Sequence, residues 1–181
     1  MPDGYFVQSM ERMVPIAEYL AACVDVEKFV GYCKACGNYS RRWSCPPFDF
    51  DPLDLWKRYQ AIHIHARILT PISGVDMAIM MEGMRREKEK LMDALLKMEQ
   101  DTPGSLALSA GGCSLCGSCT RPEGKPCRRP ERMRYSVDAL GGDLSETMEQ
   151  YFQRPIRWSR NGEVPEYLTL VGGLLVGGNE P

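Results

Sequence analysis

The sequence predicts an α/β fold, more narrowly α+β: a small mixed sheet with flanking helices and two cysteine-rich loops. Three observations predict it. Ala61 to Thr70 alternates strictly between apolar and polar residues, Asp76 to Gln100 repeats its apolar residues at helical spacing, and two cysteine-rich stretches flank that pair.

Along the chain, Met13, Ile16, Ala17 and Leu20 recur at three- and four-residue intervals, which predicts a short helix within residues 10–22. Residues 23–52 are rich in Cys, Gly, Pro and aromatics without lasting periodicity and read as a loop shaped by what it binds. In the alternating stretch Ile62, Ile64, Ala66 and Ile68 point one way and His63, His65 and Arg67 the other, a half-buried strand ended by Pro71. The long helix carries Met77, Met80, Met81, Met84, Leu91, Met92, Leu95 and Met98 on its core side and Arg85, Arg86, Glu87 and Glu89 opposite. Thr102-Pro-Gly104 ends it, and Ser105 to Ala110 is a second strand. Residues 111–129 form the second cysteine loop. Pro130 then suits the first turn of a helix through Met133 to Leu140, stopped by Gly141-Gly142, and Ser145 opens another helix through Phe152. Asn161-Gly162 is a turn, and Tyr167 to Val176 is a closing strand.

A chain of 181 residues with no linker reads as one domain, 1–181, and its formal net charge of -2 names no partner. Met1 to Glu11 has no basic segment followed by an apolar one, so it does not read as a secretory signal, and no apolar run is long enough for a membrane. The expected location is therefore cytoplasmic. In that reducing compartment the eight cysteines are expected to bind metal rather than pair as disulfides.

The strongest motif is Cys113, Cys116 and Cys119, a C-x2-C-x2-C triplet beginning with Gly111-Gly112. Two-residue gaps let successive thiolates converge on one inorganic core, and the pattern matches the ligand triplet of bacterial [4Fe–4S] ferredoxins. Cys127 follows after a longer gap and either closes the same cluster or serves its neighbour. Zinc is the alternative metal, although its motifs generally come as two separated pairs.

The first group, Cys33, Cys36 and Cys45, is looser: C-x2-C followed by Cys-Pro-Pro. Tyr32, Tyr39, Trp43 and Phe48 surround it and are candidates to exclude water. Cys23 is either its fourth ligand or a buried small hydrophobe. With only three cysteines, one iron keeps a position open to a substrate, a small ligand or another side chain.

The combination of C-x2-C-G-x-Y-x3-W-S-C-P-P early and G-G-C-x2-C-x2-C-T-x-P-E-G-x-P-C-R-x-P-E late resembles a prokaryotic family of predicted metal-binding proteins of unknown function, found mainly in anaerobes. The likeness runs from about Tyr32 to Val176. It implies a [4Fe–4S]-type protein with seven ligand cysteines: Cys33, Cys36, Cys45, Cys113, Cys116, Cys119 and Cys127. Cys23 lies outside the motif. Where the family tends to have Ser-Met-Glu-Ala, this chain has Ser136-Val-Asp-Ala139, so Asp138 is a shorter acidic residue.

Other residues invite weaker readings. His63 and His65 share a strand face without a third ligand nearby in sequence, and read as sheet residues rather than a metal site. The methionine stripe reads as core packing. Arg41, Arg42, Arg121, Lys125, Arg128, Arg129, Arg132 and Arg134 crowd the cysteine loops and would stabilise a negatively charged cluster or dock an acidic partner. No nucleic-acid-binding signature is present. The expected function is electron transfer or a redox accessory role with a partner protein. The alternatives are an oxidoreductase with an open iron at Cys33, Cys36 and Cys45 binding a small-molecule substrate, and a zinc-stabilised interaction module.

Overall fold

The computed structural model describes residues 4–178; residues 1–3 and 179–181 of the domain read from the sequence lie outside that range. Four strands, Tyr5–Pro15 (β1), Ala61–Pro71 (β2), Leu106–Leu108 (β3) and Leu168–Val176 (β4), form one sheet in the order β1-β2-β4-β3. The α+β class is as the sequence reads, and all three ladders are antiparallel rather than mixed. The helices are Ile16–Cys23 (α1), Val26–Ala35 (α2), Pro52–Trp56 (α3), Met77–Asp101 (α4) and Leu144–Phe152 (α5). No helix among the described residues is long and apolar enough to cross a membrane.

The alternation of β2 divides the interior in two. Ile62, Ile64, Ala66 and Ile68 pack with Val14, Tyr19, Trp56, Leu140 and Met148 on one face of the sheet. On the other, Tyr5, Leu69, Leu170 and Leu174 meet Met80, Leu91 and Leu95 of α4. Helix α4 begins where expected because the Asp76 carboxylate accepts the Ile79 N–H at 2.9 Å, a side-chain cap. Its polar face departs from the expectation at one position. Glu87 is buried, at 5% exposure, and its Oε2 meets Arg67 Nη1 of β2 at 2.8 Å while Lys90 Nζ reaches its Oε1 at 2.7 Å. A buried carboxylate held this way fixes how the helix sits on the sheet. Met81, expected in the core stripe, is exposed.

Three other expectations are corrected. Residues 10–22 are not one helix: the chain is extended through Pro15, and β1 pairs with β2 from Tyr5↔Pro71 to Pro15↔Ala61. The spacing of Met13 to the later apolar residues imitated a helical repeat across the strand–helix junction. Residues 23–52 are not all loop, since α2 is capped by Asp25 and carries Cys33. Val26, Phe29, Val30 and Cys33 recur at helical spacing on its half-buried face, a short stripe that the surrounding Gly, Pro and Cys masked. The expected helix from Pro130 to Leu140 reduces to a 3₁₀ turn, Asp138–Leu140. The Tyr135 carbonyl accepts the Ser109 N–H at 2.8 Å, and Arg134 pairs with Glu99 through Nε at 2.8 Å, so this segment is drawn onto β3 and α4.

The 3₁₀ turn is held from several sides. Trp56 Nε1 donates to the Leu140 carbonyl at 2.9 Å, and the Asp25 N–H donates to the Gly141 carbonyl at 2.9 Å. Gly141 has φ +92° and lies so close to α2 that a β-carbon there would stand 2.7 Å from Val26 Cα. Gly141→Ala is therefore expected to destabilise the protein by about 1–3 kcal/mol, through left-handed strain and overpacking. Urea unfolding measures it, and an unchanged midpoint would show that the turn and α2 separate without cost.

Candidate metal centre

The second cysteine loop leaves β3 and closes on itself. Cys113, Cys116, Cys119 and Cys127 all line one cavity of about 330 Å³, with Arg41, Arg42 and Trp43 of the first loop on its far side. Thr120 Oγ1 donates to the Pro126 carbonyl at 2.8 Å, folding the longer gap back so that Cys127 returns to the triplet. The Arg129 N–H donates to Cys127 Sγ at 3.4 Å. Of the two places open to Cys127 from sequence, the fold puts it with the triplet.

Cys33, Cys36 and Cys45 line a separate, smaller cavity of about 70 Å³ with Tyr39, Ser136 and Asp138. Cys33 sits in the last turn of α2 and Cys36 is its C-cap, donating its N–H to the Cys33 carbonyl at 3.0 Å. Burial, and then the charge of Asp138, push the Cys33 thiol up to about 11; burial also raises Cys45 and Cys113. A metal entering either cavity must therefore displace thiol protons. Asp138, an acidic residue whose role the sequence left undefined, lines this cavity too. Its Oδ1 is buried and has no hydrogen-bond partner among the described residues.

The two cavities adjoin, and Asn38 lines both. Ser44, fully buried, accepts the Cys113 N–H at 2.9 Å, and its own hydroxyl lies 3.7 Å from Cys45 Sγ. Gly112 passes so close that a β-carbon there would be 3.6 Å from Cys45 Sγ. Arg42 donates to the Cys113 carbonyl, and Arg121 donates to the carbonyls of Arg42, Cys45 and Pro47. Lys88 of α4 donates to the Gly112 carbonyl, and burial lowers its pKa. Sequence reasoning passed over Lys88, whose position on a charged helix face gives no local sign of this contact.

The remaining sequence candidates fall elsewhere. Cys23 is 1% exposed in the apolar core beside Tyr19, Trp56 and Met148 and lines neither cavity. Of the aromatics, Tyr39 lines the first cavity, Trp43 the second, Phe48 stacks on Phe50, and Tyr32 is exposed. The basic residues are largely engaged: Arg134 with Glu99, Arg132 with Asp93, Arg129 with Glu131, Lys125 with Glu123, and Arg128 with the Ser118 carbonyl. His63 and His65 gain a neighbour the sequence could not show. Glu11 Oε2 lies 3.5 Å from His63 Nε2 and 3.8 Å from His65 Nδ1, a further grouping of metal-ligand type that lies outside both cysteine cavities.

All eight cysteines are free thiols, and seven of them line two adjoining cavities on an α+β scaffold, a donor set of the kind that suits soft metals. The chain belongs to the family described as predicted metal-binding protein (DUF2284), whose model matches residues 21–176. Neither the curated proteins nor the solved structures include a match.

Two predictions follow from this geometry. Arg121→Ala removes the guanidinium that spans the first loop and is expected to cost about 2 kcal/mol, with Arg121→Lys recovering only part because an ammonium cannot reach several carbonyls in one plane. An unfolding midpoint that does not move in either variant contradicts the bridging role. The second concerns His65, whose pKa is lowered to about 4, mainly by burial and then by His63 and Arg67, against the opposing charge of Glu11. Its unfolded form takes up a proton first, so its contribution is full above the ordinary value near 6.5 and is lost as pH falls toward 4. Between pH 7 and 4.5 the wild type should lose about 1–2 kcal/mol more stability than His65→Gln, solvent screening included; equal losses would refute it.

Proposed function

We propose that this chain is an iron–sulfur redox protein in which Cys113, Cys116, Cys119 and Cys127 hold one [4Fe–4S] cluster, Cys33, Cys36 and Cys45 hold a second, and single electrons pass to a partner protein. The observation that carries this reading is the sorting of seven cysteines, four and three, around two cavities that share a wall. The donor sets suit it, since soft thiolates favour iron–sulfur chemistry or zinc and the C-x2-C-x2-C triplet is a cluster pattern.

When bound, such a cluster supplies one-electron chemistry at a potential set by its charge, the hydrogen bonds to its sulfurs and its exposure. The chain's own residues act on each of these. Lys88 and Arg42 place cationic groups near Cys113 and Cys45, which favours added negative charge. The Ser44 hydroxyl is committed as an acceptor to the Cys113 N–H, which leaves its proton for Cys45 Sγ. The Arg129 N–H does the same for Cys127. Cys127 is half-buried on an exposed loop, which gives a redox partner an approach to the second site, with Lys125 and Arg129 already paired to Glu123 and Glu131 there.

One observation favours a second reading, a small redox enzyme. The first cavity has three cysteines, and a metal held by them keeps a coordination position for a small substrate.

Anaerobic purification with iron, acid-labile sulfide and zinc analysis tests the proposal. About eight iron and eight sulfide per chain are expected, and Cys119→Ser should lose about half of both. Stoichiometric zinc without sulfide would replace it with the zinc-stabilised interaction module.

A further inference from the structure

We infer that the carboxylate of Asp138 is the fourth protein ligand of the first site, an oxygen donor at the position for which the chain offers no fourth cysteine. The inference rests on the iron–sulfur reading above and deepens it.

The supply of thiols is exhausted by geometry. Four of the eight cysteines line the larger cavity, three line the smaller one, and Cys23 is sealed in the core. The other acidic or hydroxyl side chains at the smaller cavity are Tyr39, Ser136 and Asp138. The Ser136 hydroxyl already accepts the Ala139 N–H at 3.3 Å. Asp138 is different, because its Oδ1 is buried and unmatched by any described protein donor. A carboxylate oxygen shielded from water without a donor is costly to a fold, and a metal ion beside it offsets that cost. The nearby protein cations are directed elsewhere: Lys88 to the Gly112 carbonyl and Arg42 to the Cys113 carbonyl.

The carboxylate is also held in place. Asp138 opens the 3₁₀ turn whose far end is fixed by Trp56 and by Gly141 packed on Val26. Val26 starts the helix that presents Cys33 near its other end. The oxygen and the first thiol are thus set by one rigid contact, as a ligand pair must be. The remaining cysteines arrive on the loop that Arg121 and Ser44 fasten to the second site.

A carboxylate is a harder and weaker donor to iron than a thiolate. The Asp138 position is therefore where the protein releases its hold, and where a small exogenous donor enters by displacing the carboxylate. Cys33, Cys36 and Cys45 keep the metal in place meanwhile. This gives the first site exchangeable coordination and leaves the second, all-cysteine site inert.

The test uses the anaerobically purified full-length protein labelled with ⁵⁷Fe, compared with Asp138→Ala, Asp138→Cys and Cys23→Ser. Mössbauer spectroscopy of the wild type should contain an iron subsite distinct from the thiolate-ligated ones. Asp138→Cys should convert it to the thiolate type and abolish the electron paramagnetic resonance shift that cyanide causes in the reduced wild type. Asp138→Ala should lose that iron on mild oxidation and show a [3Fe–4S]-type signal, while Cys23→Ser should match the wild type. Should Asp138→Ala fail to accumulate, Asp138→Asn keeps the shape, removes the anionic donor and is read in the same way. Full sulfide content with a distinct subsite untouched by the Asp138 variants, or lost in Cys23→Ser, overturns this inference alone. A wild-type protein without acid-labile sulfide overturns the iron–sulfur reading and this inference with it.

Discussion

The two cysteine loops are far apart in sequence, and what brings them into one region is a small set of polar contacts between them. Arg121, from the second loop, gathers three carbonyls of the first, while Arg42 reaches back from the first loop to the Cys113 carbonyl. Ser44 sits buried between them, taking the Cys113 N–H on one side and facing Cys45 Sγ on the other. No strand ladder joins the two loops, and these groups take its place. Without them the two cavities would be separate surface loops, each satisfying its backbone with water.

The scaffold supports that arrangement from behind. The sheet carries a core on each face, with α4 on one side and α1, α3 and α5 on the other. Helix α4 contributes Lys88 to the loop wall, and the buried Glu87–Arg67 pair fixes the rotation of the helix on which Lys88 lies. Trp56, from the opposite layer, holds the turn that begins with Asp138. Each layer therefore delivers one polar group to the cysteine region. The same residues that fill the core decide where those groups stand.

Elements with a strong internal period were readable in the chain. Ile62, Ile64, Ala66 and Ile68 alternate because one face is buried, and the stretch from Met77 to Leu95 repeats because α4 lies on a sheet. Elements defined by contacts were not. Helix α2 has only a short stripe, Val26, Phe29, Val30 and Cys33, none of it fully buried, and its start is set by the Asp25 cap and the Gly141 contact. Strand β1 is an edge whose Phe6 and Met13 are exposed, so its alternation is faint. The segment after Pro130 had the composition of a helix, but Arg134 and Tyr135 spend their polar groups on Glu99 and Ser109 instead. Glu11 beside His63 and His65 was beyond any local reading, because it comes from the neighbouring strand.

By itself the sequence determined the chemistry available: eight thiols, with spacings short enough that Cys113, Cys116 and Cys119 can converge and that Cys33 and Cys36 can lie within one turn of each other. Those are consequences of chain geometry over two or three residues, and no fold is needed to draw them. The tertiary structure alone decided the partition. It put Cys127 with the triplet, withdrew Cys23 into the apolar core, and brought Asp138 to the three cysteines of the first group. Such choices depend on which distant segments can pack together while every buried polar group finds a partner. Most buried polar groups among the described residues are paired across distant segments, which no single stretch of sequence reveals.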